Sequence, residues 1–148
     1  MRMISLAVLA ALLPATAAAA AAPDGKAVFD KACAACHFER RDPARMNDMV
    51  APPMDMMAVH VREAVKNDRA AFVQRVVSYI KAPNAEAAVD ANAIQRFGLM
   101  PSIRDSFPDL TDADLDAVAG WLYDYYADAR LPTAEQQQQQ QKLRQQSQ

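Results

Sequence analysis

A chain of 148 residues with 16 basic and 18 acidic side chains carries a formal net charge of −2 at pH 7, which excludes the basic footprint of a nucleic-acid binder. Two cysteines are too few for a disulfide-dense scaffold. The length suits one compact domain.

At the N-terminus, Arg2 precedes an apolar run from Met3 to Leu13, and an alanine-rich stretch ends in Ala20-Ala21-Ala22-Pro23. A basic start, an apolar middle and a small-residue end have the form of a secretory signal, so residues 1–22 are expected to be a signal peptide. The rival is an uncleaved anchor, because Met3 to Ala22 is just long enough to span a bilayer. Pro14, Thr16 and the weakly apolar alanines argue against it.

A single domain is expected over 23–131, helical throughout. Asp24 caps a first helix running to about Ala35, with Val28, Phe29 and Ala32 on one face. A loop from Phe38 to about Met54 leads to a helix over Met56 to Lys66. Asp68 caps a third helix in which Phe72, Val73, Val76, Val77 and Ile80 recur at helical spacing until Pro83 stops it. A short helix is predicted over Glu86 to Arg96, with Gly98 as a left-handed cap. Thr111 to Asp114 opens the last helix with a capping-box pattern, its apolar face being Leu115, Val118, Leu122, Tyr125 and Ala129. Beyond Pro132 the chain turns to glutamine, Gln136 to Gln141. So polar a composition predicts a disordered tail over 132–148, the alternatives being a helical extension or a partner-binding segment.

The chemistry lies in Cys33-Ala34-Ala35-Cys36-His37. C-x-x-C-H is the attachment signal for c-type haem: each thiol adds to one vinyl group of the porphyrin, and the imidazole is placed beneath the iron. A redox C-x-x-C pair would sit near a βαβ pattern, and none is seen. A disulfide gives no reason for the following histidine. A zinc site lacks ligands, since the only other histidine is His60. One motif means one haem c. Covalent attachment in bacteria follows export, so signal and motif agree on the periplasm.

Gly25-x-x-x-Phe29-x-x-x-Cys33-x-x-Cys36-His37, the later Met100-Pro101, and the closing Leu110-Thr111-Asp112-x-Asp114-Leu115-x-x-Val118-x-x-Trp121-Leu122 together resemble a class I monohaem c-type cytochrome from about Asp24 to Asp128. The resemblance implies an all-α cytochrome c fold in which the first and last helices cross, Gly25 and Phe29 meeting Trp121, Leu122 or Tyr125. It also implies His37 and Met100 as the axial iron ligands. Pro101 stiffens the turn that would present the Met100 sulfur; the competitors are another methionine, His60 or an open position. The middle is enlarged and departs from the family pattern. It carries Met46, Met49, Met54, Met56 and Met57, which fit either packing around the haem or a Cu(I) site. The usual proline accepting the histidine hydrogen bond is matched only by Pro52 or Pro53. Propionate partners are sought among Arg62, Arg69, Arg96, Tyr79 and Trp121. Arg40, Arg41 and Arg45 would border the haem edge and steer an acidic partner.

The expected function is one-electron transfer between periplasmic redox proteins, with no catalytic apparatus, no nucleic acid and no membrane span once the signal is removed. The middle helices offer a face for a homodimer. The alternatives are a gas-binding or peroxidase-like haem protein with an open distal site, and a cytochrome subunit of a dehydrogenase or reductase complex.

Overall fold

Asp24 opens the first helix by accepting hydrogen bonds from the backbone N–H groups of Lys26 and Ala27. A computed structural model describes residues 21–146, so the expected signal segment lies outside the described residues apart from its last two. The described chain is all helix and connection, with seven α-helices and no strand. α1 (Gly25–Ala32), α2 (Met54–Ala64), α3 (Arg69–Lys81) and α6 (Asp112–Tyr125) form the body. The short α4 (Ala91–Phe97) and α5 (Ile103–Ser106) carry the chain between α3 and α6, and α7 (Ala134–Gln146) follows.

The expected crossing of the first and last body helices is present. Gly25 lies so close to α6 that a Cβ there would overlap the Ala117 carbonyl oxygen and stand 2.5 Å from the Trp121 Cβ. Phe29, fully buried, meets Trp121 with ring centroids 5.1 Å apart, and Trp121 stacks on Tyr125 at 4.6 Å. Behind them Leu115, Val118 and Leu122 join Val28, Phe72 and Val61 in one continuous core. The capping box of α6 is complete: Asp114 N–H donates to Thr111 Oγ1 at 3.2 Å, and Thr111 N–H donates to the Asp114 carboxylate at 2.7 Å. At its other end, Arg62 from α2 donates to the carbonyls of Tyr123 (2.7 Å) and Tyr126 (3.0 Å). A cation thus meets the negative end of the helix dipole and ties α2 to α6.

Several boundaries differ from the expected ones. α1 stops at Ala32 rather than Ala35, because Phe29 O accepts from both Cys33 and Ala34 and the chain tightens into a turn. α4 begins at Ala91, since Asp90 rather than a residue near Glu86 supplies the cap, bonding the N–H groups of Asn92 and Ala93. Gly98 has φ +81° but ψ −179°, an extended continuation rather than a left-handed helical cap. That geometry sends the chain outward instead of closing the turn. The glutamine segment, expected to be disordered, is the exposed helix α7. Glutamine, lysine, leucine and alanine favour helix, and Thr133 exchanges hydrogen bonds with Gln136 at its start.

Two substitutions test this core. Gly25→Ala is expected to cost about 1–3 kcal/mol through overpacking at the crossing, read as a lowered thermal midpoint of the protein. Tyr126 is fully buried, and its hydroxyl has no hydrogen-bond partner among the described residues. Removing an unsatisfied buried hydroxyl relieves its desolvation cost, so Tyr126→Phe should raise stability by roughly 1 kcal/mol in a denaturant titration. A loss of stability would show that the hydroxyl is satisfied in solution.

Candidate haem-binding site

The turn that ends α1 carries the motif. Cys33 O accepts from the N–H groups of Cys36 (3.1 Å) and His37 (2.9 Å), so backbone bonds wind the five residues into one compact turn. The two cysteines are not joined in a disulfide. In the chain before haem is attached, burial, and then the neighbouring Cys36, push the Cys33 thiol up to about 11.

His37 is oriented from across the loop. Its Nδ1 lies 2.7 Å from the carbonyl oxygen of Pro52. With Nδ1–H donating to that carbonyl, Nε2 is left as the nitrogen with a lone pair. Of the two prolines offered by the sequence, Pro52 is therefore the partner. Its carbonyl is held in place because the chain after it is pinned to the chain after the motif. Met54 N–H donates to Phe38 O at 2.8 Å, Asp55 N–H donates to Glu39 O at 3.1 Å, and the Asp55 carboxylate accepts from Arg41 N–H. Burial pulls the His37 pKa below the ordinary histidine value, the Pro52 bond partly opposing it, so the imidazole is neutral at neutral pH.

Cys33, Cys36, His37 and Met100 line one cavity of about 290 Å³. Its walls are largely apolar: Met54, Met57 and Val61 from α2, Phe72 and Ile80 from α3, and Leu122 from α6. Gly98 and Pro101 flank Leu99 and Met100, and all four line the cavity. Two thiols, an oriented neutral imidazole and a thioether around an apolar cavity form a donor set suited to a covalently bound haem, and to no hard cation. Among the described residues, no group of three or more His, Cys, Asp or Glu side chains could hold a metal ion.

Residues 20–122 match the family model described as cytochrome c oxidase, cbb3-type, subunit III. The chain belongs to this family of c-type cytochromes. The cytochrome is also 30% identical over 118 residues to a protein of Aquifex aeolicus (strain VF5) described only as uncharacterized, covering 71% of this chain and 75% of the relative. No solved structure matches it. Family membership makes it a haem protein of electron transfer, with haem c bound covalently.

Not every residue singled out in the sequence reaches the cavity. Met54 and Met57 line it, whereas Met49 is buried away from that lining, so the methionines do not converge as a set. His60 is absent from the lining, its Nε2 facing the Asp90 carboxylate at 3.7 Å. Arg40 packs over Tyr125 and Tyr126, and Arg45 over Phe38. With Arg41 they are not among the residues that line the cavity. Arg62 caps α6, Arg69 pairs with Asp124, Arg96 donates to Met46 O and Trp121 is in the aromatic stack. Only Tyr79 of the expected propionate partners lines the cavity. Arg75, also in the lining, is not among the residues singled out in the sequence; the signal that could have found it is a cation set within the apolar stripe of Phe72, Val76 and Ile80.

Replacing both thiols gives a direct check of attachment. Cys33→Ser/Cys36→Ser is expected to yield protein whose haem, if any is retained, is removed by acid–acetone extraction. Native protein should keep its haem and its added mass.

Proposed function

We propose that this cytochrome is an exported one-electron carrier of the periplasm in which His37 and Met100 are the two axial ligands of the haem iron. The observation that carries the reading is the presence of both side chains on one cavity, with His37 Nδ1 engaged by Pro52 O at 2.7 Å. When bound, the haem supplies reversible one-electron exchange between ferric and ferrous iron.

The chain's own residues supply the rest. Cys33 and Cys36 tether the ring at its edge, and the Pro52 carbonyl fixes the imidazole plane and raises the basicity of its free nitrogen. Met100 fills the sixth position and thereby denies it to substrates or gases, while its thioether raises the potential relative to a second imidazole. The apolar walls keep water from the ring and favour the less charged, reduced state. Val50 and Leu99, 66% and 48% exposed, stand at the rim of the same cavity and leave an approach for a redox partner.

A second reading concerns the partner. The matching family's description is that of an oxidase subunit, which favours a membrane complex as donor or acceptor. No helix of the described residues is long and apolar enough to cross a membrane. Migration of the untagged protein with a membrane complex on native gels would support this second reading, and migration alone would favour a diffusing carrier.

Carbon monoxide tests the ligand pair. The reduced holoprotein should show a low-spin spectrum that the gas leaves unchanged, and Met100→Ala should bind the gas and have a lower midpoint potential. Rapid carbonyl formation by the native protein would move a gas-binding or peroxidase-like function to first place.

A further inference from the structure

α3 presents Phe72, Arg75, Val76, Tyr79 and Ile80 to the cavity. Arg75 is the only lysine or arginine among the lining residues. A guanidinium half withdrawn from water needs compensating partners, and Arg75 has only part of that compensation. Its Nη2 donates to Ala87 O at 2.7 Å, and no ion pair with a carboxylate is found for it among the described residues. By contrast, the more exposed Arg69 and the comparably exposed Arg104 each hold an aspartate, Asp124 and Asp112.

A haem brings two carboxylates into this apolar space. We propose that Arg75 receives one haem propionate, with the Tyr79 hydroxyl as a second donor, and keeps that carboxyl ionised in both oxidation states. The two residues stand at i and i+4, on one face of α3. The Ala87 bond holds the guanidinium at the cavity wall, and its planar fork matches a carboxylate. The other charged lining residue, Asp90, repels a propionate. Its own carboxylate is engaged by the N–H groups of Asn92 and Ala93 and by His60. Cation and anion thus assign the propionate to the α3 wall.

This deepens the proposed electron-carrier reading and rests on its haem. An added electron makes a nearby carboxyl easier to protonate, which ties the potential to pH unless a fixed cation opposes it. Arg75 is that cation. Tyr79 on α3, Asp90 at the head of α4, His60 on α2 and His37 after α1 are the other titratable groups at or beside the cavity, and they are retained in the variants below.

The test is a redox titration of the holoprotein and of Arg75→Gln and Arg75→Lys between about pH 5 and 8, the range in which a released carboxyl near haem titrates. Arg75→Gln should shift the midpoint potential downward at the upper end. It should also gain a slope absent from the native protein, the potential falling as pH rises. Arg75→Lys should restore most of both. Native potential and slope in Arg75→Gln would overturn the proposal, as would equal shifts in the two variants. If the variants do not load haem, redox-difference infrared spectra of the native protein decide: a haem carboxyl becoming protonated on reduction in this range overturns it, and no such signal supports it. Failure of the His37–Met100 pair would appear separately, as carbon monoxide binding.

Discussion

The rest of the molecule depends on the contact between the α1 and α6 backbones at Gly25. Only a residue without a Cβ lets the first helix lie against Ala117 and Trp121, and that approach seats Phe29 on Trp121. The end of α1 is where the cysteines and His37 begin. The crossing therefore fixes the starting point and direction of the motif turn. Displacing α1 would move the thiols and the imidazole together, away from the walls supplied by α2, α3 and α6.

Around that anchor the binding site is divided by chemistry. The turn after α1 gives the two cysteines, a loop carbonyl orients the imidazole, α2 and α3 give apolar walls, and the chain after α4 adds Met100 to the lining. Each part is held by a different local device. The Asp24 and Asp90 caps start α1 and α4, paired backbone bonds at Phe38 and Glu39 hold the loop, and Gly98 redirects the chain before Met100. The polar devices lie mostly at helix ends and in connections. The interior facing the cavity stays almost entirely apolar, which is what a ring of low polarity needs around it.

What the sequence revealed follows from the range of the interactions involved. The C-x-x-C-H run, the Thr111–Asp114 capping box and the apolar stripes of α3 and α6 are local patterns, readable without knowing what packs where. The choice of Pro52 over Pro53 was not readable, because it depends on a loop closing back through Met54 and Asp55. Nor were the places of Arg40, Arg45 and Arg62, since long cationic side chains are committed by aromatic faces and helix ends distant in sequence. The start of α4 at Ala91 turned on which of several polar residues becomes the cap. The helical tail shows a similar limit: its composition speaks for solvent exposure, while the propensity of its residues and the Thr133 cap decide its backbone.

The hydrogen bond that orients His37 is accepted by a main-chain carbonyl, and this changes what mutation can reach. A carboxylate in that role could be deleted by one codon change, whereas the Pro52 oxygen survives any replacement that preserves the path of the loop. Drift at position 52 is thus buffered, and the vulnerability is transferred to residues that make no hydrogen bond to the imidazole, such as Asp55, which anchors the loop through Arg41 N–H. A side-chain scan would score the acceptor position as tolerant and the loop anchor as sensitive, although only the acceptor bonds the His37 ring.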